Sequence, residues 1–289
     1  MKIRISGISG YLGKNIATEL KRRGHEVLGI ERRLIYGSLD ALSKEIEGTE
    51  VIINLAGAPI LQRWTERSKR LIHESRIRTT RNLVKAIQNL PKDKQPKKFI
   101  SASAIGIYKS GFSHDENSTS FDEGFVGKVV QDWENASKEL PSHIQRNILR
   151  IGLVLGKEAK TITNLVLPYK LGLGATIGNG KQPFPFIHEK DVISAFVRMV
   201  EDMDKSGIFN LVAPENISNK DFTKAFAKAL NRPSIFSIPE FVLKMVLGEA
   251  AVLLTESPGV EPKALLEKGF AFQYPDINLA LKDILKPVK

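Results

Sequence analysis

The sequence predicts an α/β protein: a doubly wound parallel sheet followed by a small mixed C-terminal lobe. Two observations predict the sheet. Apolar strand-like runs alternate with segments of helical periodicity along most of the first 212 residues, the pattern of parallel strands joined by crossover helices. The first run also leads straight into three glycines, Gly7, Gly10 and Gly13, at three-residue spacing before a helical segment. A change of texture predicts the lobe: after Gly156 the chain becomes rich in glycine over Leu171–Gly180 and carries two prolines between Lys181 and Phe186. The division expected is residues 1–155 with 187–212 returning as the sheet domain, and 156–186 with 213–289 as the lobe.

Lys2–Ser6 alternates as a strand, and Leu12–Arg23 places apolar residues at helical spacing. Gly24 and His25 turn the chain into a second strand, Glu26–Ile30, and Glu50–Leu55 is a third, nearly continuous apolar run. Such runs suit parallel strands covered on both faces. Glu66–Leu90 reads as a helix stopped by Pro91. Lys98–Ser103 is a strand, Gly127–Leu140 a helix and Ile144–Val154 a strand. Asp191–Glu201 returns to helix and Ile208–Val212 to strand, before helices over Asn219–Leu230 and Pro239–Leu254.

Composition excludes several classes. The 289 residues are 42% hydrophobic, enough for a sizeable core. No apolar run approaches the roughly 18 residues that span a bilayer, and the opening Met-Lys-Ile-Arg-Ile enters a strand pattern rather than a signal peptide. There is no cysteine, so disulfides, thiolate metal sites and a cysteine nucleophile are absent. A cytoplasmic location is expected. The net charge is +11, but lysine and arginine are dispersed, with small clusters at Lys21–Arg23 and Lys92–Lys98. That distribution attracts anions generally and makes nucleic acid an unlikely partner. Five histidines, His25, His73, His114, His143 and His188, lack ligand spacing, so no metal site is expected.

A strand, closely spaced glycines and a helix make an anion site. The glycines let the backbone approach a pyrophosphate, and the helix N-terminus offers unpaired N–H groups and a positive dipole end. At the end of the second strand, about 20 residues on, an acid favours NAD and an arginine accommodates the 2′-phosphate of NADP. Glu31, Arg32 and Arg33 supply both, so this chemistry leaves NAD and NADP open.

These residues resemble those of the extended short-chain dehydrogenase/reductases, the NAD-dependent epimerase/dehydratase family. Within it the chain resembles an atypical "epimerase family protein" branch, often labelled cell-division-inhibitor-like. The likeness is carried by Asn54-Leu-Ala-Gly-Ala-Pro-Ile60, Arg63-Trp-Thr65, Ser75-Arg-Ile-Arg-Thr-Thr80, Ser101-Ala-Ser-Ala104 and Asp132-Trp-Glu134. It continues through Leu171-Gly-Leu-Gly174, Ile177-Gly-Asn-Gly-Lys-Gln182, Ile187-His188 with Asp191, Leu247-Gly-Glu249 and the region from Gly269 to Leu279. The resemblance implies a Rossmann domain binding NADP(H), with the lobe over the nicotinamide end. It assigns Gly7, Ser9, Gly10, Tyr11, Leu12 and Gly13 to the pyrophosphate turn, and Arg32 beside Glu31 to the adenosine ribose and its phosphate. Leu55, Ala56 and Gly57 fall where backbone lines the cofactor, and Arg76 matches a further contact. Glu31 replaces the small hydroxyl residue usual at its position.

The superfamily moves protons with a Tyr-x-x-x-Lys pair on a helix, the lysine favouring phenolate. Here those positions fall on Val126 and Val130, and the pair is missing. Lys128 lies on nearly the opposite side of the helix from Val126. Ser103, at the end of the fourth strand, and Tyr108, five residues later, are the substitute candidates: substrate-oxygen donor and acid/base respectively. The competing reading makes Tyr108 a packing aromatic and Ser103 a strand-end hydroxyl. His188 and Asp191, three apart, are a lesser acid/base candidate, with Asp191 organising local backbone as the alternative. Trp64 and Trp133 read as core or cofactor-flanking packing. The expected protein is thus an NADP(H)-dependent oxidoreductase or epimerase acting on an unidentified small molecule. Its rival is a non-catalytic NADP(H)-sensing module that binds a protein partner.

Overall fold

A computed structural model describes residues 1–202 and 206–286. Six strands form the central sheet: β1 (Lys2–Ser6), β2 (Glu26–Ile30), β3 (Val51–Asn54), β4 (Lys98–Ala104), β5 (Gln145–Ile151) and β6 (Gly207–Leu211). Their order is β6-β5-β4-β3-β1-β2, and every neighbouring pair is parallel. From β1 the chain first adds β2 on one side, then crosses to add β3 on the other. The order reverses there, and the crevice outside the carboxyl ends of β1 and β3 is the expected ligand position.

Helices cover both faces, which explains why β3 is apolar without alternation. On one face α1 (Tyr11–Arg22) and α7 (Glu189–Glu201) pack Ile16, Leu20, Val192, Phe196 and Val200 against Ile3, Ile5, Ile53 and Ile100. On the other, α3 (Leu39–Ile46) and α4 (Glu66–Gln88) pack Leu42, Ile46, Leu83 and Ile87 against Ile52 and Phe99. Alongside them, α5 (Phe125–Asn135) packs Val129 and Trp133 against Ile72 and Ile77 of α4. The long helix α4 begins at a capping box in which Thr65 accepts from the Ser68 N–H and Ser68 Oγ from the Thr65 N–H. Among the described residues no helix is long and apolar enough to cross a membrane.

The central strands lie within a residue or two of their expected bounds, but Ile144–Val154 divides. β5 ends at Ile151, and Leu153–Leu155 pairs instead with Phe186–His188. Gly152 sits at the switch, where a β-carbon would come 2.5 Å from the Pro185 carbonyl oxygen. Pro239–Leu254 likewise breaks, into Glu240–Leu247, a 3₁₀ turn at Gly248–Ala251 and Val252–Thr255. The region after Gly156 is more ordered than its glycines and prolines imply. Tyr169 of α6 (Lys160–Lys170), Phe222 and Phe226 of α8 (Asn219–Ala229), Phe184, and Leu281 of the helix Ile277–Ile284 form a separate apolar cluster. Leu265 and Phe270, which the sequence division gives to the lobe, pack in the central-sheet cluster instead.

Candidate functional site

The glycine turn leaves β1 at the reversal point. Gly7 has φ +76°, and a β-carbon there would lie 2.9 Å from the Ala56 nitrogen. Gly13 is tighter still, since its β-carbon would meet the Gly7 carbonyl oxygen at 2.3 Å. Both glycines are therefore demanded by the fold itself. Gly10 differs. It donates to the Gly7 carbonyl at 3.0 Å, has φ −72°, and its β-carbon would meet only that carbonyl, at 3.2 Å. The turn's outer side at Gly10 is open, Gly10 caps α1 without a side-chain hydrogen bond, and the first turn of α1 holds no acid. This is a cradle that a pyrophosphate fits and that side chains leave unfilled.

Around the turn lie several of the residues expected to line the cofactor. Leu55 donates its N–H to the Ser6 carbonyl at 3.1 Å, so the loop after β3 lies against the turn. Leu12 and Leu55 both pack on the central cluster, while Ser9 is exposed. Tyr11 points elsewhere: its hydroxyl donates to the Glu189 carboxylate, and burial together with that carboxylate raises its pKa. Arg76, on α4, has its guanidinium carbon 3.1 Å from where a Gly57 β-carbon would stand. It donates to the Ile72 carbonyl at 3.0 Å and lies 5.3 Å over the Trp133 ring. Among the described residues it has no carboxylate partner, and burial pushes its pKa down to about 10. A largely desolvated cation against Gly57, in the loop whose Ala56 abuts Gly7, is suited to an anion.

At the carboxyl end of β2, Glu31, Arg32 and Arg33 are all exposed. The Glu31 carboxylate accepts from Arg33 Nε at 2.5 Å, which offsets its repulsion toward a phosphate and leaves Arg32 outside that pair.

Ser103 and Tyr108 occupy a different setting, beneath α5. Register aligns Ser103, Arg150 and Asn210 side by side on β4, β5 and β6. Ser103 Oγ donates to Glu134 Oε1 at 2.6 Å. Arg150 grips the same carboxylate through Nε and Nη2, each at 2.8 Å, and donates from Nη1 to the Tyr108 hydroxyl at 2.8 Å. The Tyr108 hydroxyl donates a hydrogen bond to Asn210 Oδ1 at 2.8 Å, and Asn210 Nδ2 donates to the Glu261 carbonyl at 3.0 Å. Tyr108 is 1% exposed and Arg150 2%. Burial raises the Tyr108 pKa, with Arg150 opposing, and the phenol stays neutral. Burial disfavours the Arg150 charge, yet Glu134 outweighs it and holds the guanidinium above its ordinary range. Both candidate hydroxyls are thus committed to a buried network. Val126 and Val130 sit in an apolar cluster with Ile105, Ile107 and Tyr108, and Lys128 is exposed. Sequence reasoning missed Arg150, although a charge inside the apolar run Asn147-Ile-Leu-Arg-Ile151 signals a buried partner.

His188 caps α7, its Nδ1 accepting the Lys190 N–H at 3.1 Å, and stacks 3.8 Å from Tyr274. Asp191 accepts the N–H groups of Gln273 and Tyr274 at 2.8 and 3.1 Å, tying the C-terminal segment to α7. These partners make the two residues a structural clasp. His188 is fully buried, and burial pushes its pKa from 6.5 down to about 4. Between those pH values the unfolded imidazole binds a proton that the folded one refuses, so stability is lost as pH falls through this window. The expected loss is on the order of 3 kcal/mol. Urea unfolding at pH 7 and pH 4.5 checks it against His188→Asn, which keeps a capping side chain. Equal pH slopes in the two chains would remove His188 as the cause.

Comparison with known proteins then adds kinship to geometry. The profile of the NAD dependent epimerase/dehydratase family matches residues 3–211, and that of a domain of unknown function matches 238–284. The chain is 33% identical over 302 residues to the epimerase family protein YfhF of Bacillus subtilis, covering 99% of this chain and 98% of that one. It is 32% identical over 297 residues to the epimerase family protein SDR39U1 of Bos taurus, covering 99% and 100%. A crystal structure of human SDR39U1 with NADPH superimposes with a TM-score of 0.91 at 32% identity, covering 98% of this chain and 99% of that one.

Proposed function

The chain belongs to the NAD-dependent epimerase/dehydratase family, and from that premise we propose that it binds NADP(H) and acts as an oxidoreductase or epimerase on a small molecule. The observation that carries this reading is the open cradle at Gly10, together with Arg76 against Gly57 in the adjoining loop, a desolvated cation with no carboxylate partner among the described residues. Gly7, Gly10, Gly13 and the α1 N-terminus would hold the pyrophosphate, and Leu55, Ala56 and Gly57 would line it. The human relative crystallised with NADPH supports the phosphorylated cofactor. The pairing of Glu31 with Arg33 supports it too, by removing an objection to a 2′-phosphate. We assign the lobe to the small-molecule substrate, and the cytoplasmic location remains an expectation from composition.

NADPH is expected to bind more tightly than NADH, and Arg32→Ala to weaken NADPH selectively by about 1.5–3 kcal/mol, the range for hydrogen bonds to charged groups. Calorimetric titration of both cofactors measures this. Tighter NADH binding by the native chain would overturn the NADP assignment and make Glu31 the ribose acceptor.

When bound, the nicotinamide supplies the hydride donor or acceptor. To act as the proton donor Tyr108 must release Asn210 and reach the substrate; kept neutral by burial, it then suits proton donation during reduction better than proton removal. A carbonyl library followed by NADPH consumption tests activity, and Tyr108→Phe tests the residue. Turnover unchanged in Tyr108→Phe would take Tyr108 out of the chemistry and leave it in the network. A second reading, a non-catalytic NADP(H) sensor with a protein partner, is favoured by one observation: both candidate hydroxyls are spent on buried partners. NADPH binding without turnover across the library would favour it.

A further inference from the structure

We infer that Arg78 is a second residue for the adenosine 2′-phosphate, acting with Arg32 across Tyr36; this rests on the NADP(H) reading above. The Arg32 guanidinium lies 5.6 Å from the centroid of the Tyr36 ring, and that of Arg78 lies 5.1 Å from the same centroid. Arg32 belongs to α2 (Arg32–Ile35), just past β2, whereas Arg78 projects from α4. Among the described residues neither side chain has a carboxylate partner, and the nearby acid Glu31 is taken by Arg33.

The meeting of these two arginines is built into the fold. Tyr36 shares a hydrogen bond with Thr79 Oγ1 at 2.8 Å, and Asn82 Nδ2 donates to the Ile35 carbonyl at 2.7 Å. Residues 78, 79 and 82 share one side of α4, so the same face that moors α2 carries Arg78. The ring is fixed, and both guanidiniums are held close to it. One cation on an aromatic ring is favourable. Two cations drawn to one ring repel each other, and an anion within reach of both relieves that repulsion. A phosphate monoester, with between one and two negative charges near neutral pH, is such an anion and suits the bidentate fork of arginine. The position is also right, since the ribose hydroxyl that carries this phosphate is read at the end of the second strand. With Arg33 engaged by Glu31, Arg78 supplies from α4 a second unpaired positive group beside Arg32.

The test compares ligands with and without the 2′-phosphate on the full chain. Native protein, Arg78→Met and Arg32→Met are titrated calorimetrically with NADPH, NADH, 2′,5′-ADP and 5′-AMP, with thermal melting as the folding control. Arg78→Met is expected to weaken NADPH and 2′,5′-ADP about tenfold while leaving NADH and 5′-AMP unchanged. Native preference for NADPH that survives intact in Arg78→Met would overturn the inference and leave the cofactor reading standing. Equal weakening of all four ligands would also overturn it, by making Arg78 an adenine-stacking or structural residue. Absence of any native preference for the phosphorylated ligands would instead defeat the NADP(H) reading, and this inference with it.

Discussion

Glu134→Ala is expected to lower the unfolding free energy by about 3–5 kcal/mol, the cost of removing one partner of a buried ion pair. Arg150 is 2% exposed and Glu134 9%. Once Glu134 is cut back, the Tyr108 hydroxyl remains as an acceptor and the Tyr108 and Phe121 rings as weaker neighbours, at 5.0 and 5.7 Å. Rings do not replace a carboxylate. Ser103→Ala, which removes one hydrogen bond from the same carboxylate, should cost only about 1 kcal/mol. Urea unfolding of the three chains measures both. A double Glu134→Met, Arg150→Met chain should recover part of the loss, because the penalty lies in the orphaned charge. A loss below about 1 kcal/mol in Glu134→Ala would mean that the network is solvated and α5 is held by packing alone. The stake is functional as well. α5 carries Trp133, over which Arg76 lies, so loosening α5 disturbs the cation held against Gly57.

The sheet was legible because its strands obey a simple rule. Runs covered on both faces are largely apolar, and Val51, Ile52 and Ile53 of β3 show it plainly. Segments whose form depends on distant partners were not legible. The short α2 is moored by Asn82, α3 by packing on α4, and α6 by a cluster gathered from residues far along the chain, despite Pro168 within it. Ile144–Val154 reads as one strand because periodicity does not reveal that Pro185 crowds Gly152.

The site divides in the same way. The three glycines announce themselves by spacing, yet spacing does not say which serve the fold and which the ligand. That distinction needs the distances to the Gly7 carbonyl. Val126 and Val130 were readable as missing chemistry, and their apolar cluster agrees. Ser103 and Tyr108 were readable only as hydroxyls near a strand end. Their commitment to Glu134, Arg150 and Asn210 comes from cross-strand register, which a linear pattern does not contain. Arg78 met Arg32 for the same reason: two elements remote in sequence share one aromatic ring.

Gly10→Val is expected to abolish dinucleotide binding while sparing the fold, and Gly13→Ala to damage both. The contrast follows from where each new carbon would stand. At Gly13 it would lie 2.3 Å from the Gly7 carbonyl oxygen and 2.9 Å from the Ile8 α-carbon, both backbone atoms that cannot yield without opening the turn. At Gly10 the single neighbour is 3.2 Å away, a contact relieved by a shift of a few tenths of an ångström. Its backbone, φ −72° and ψ 167°, is extended and suits a β-branched residue. The valine methyls would instead fill the open side of the cradle, where a pyrophosphate approaches the α1 N-terminus. NADPH affinity in Gly10→Val should fall on the order of 100-fold or more, about 2.7 kcal/mol. Calorimetric titration reads that loss, and the melting temperature should stay within a few degrees of native. Normal NADPH binding by a folded Gly10→Val chain would mean that the pyrophosphate does not use this turn, and that all three glycines serve the fold alone.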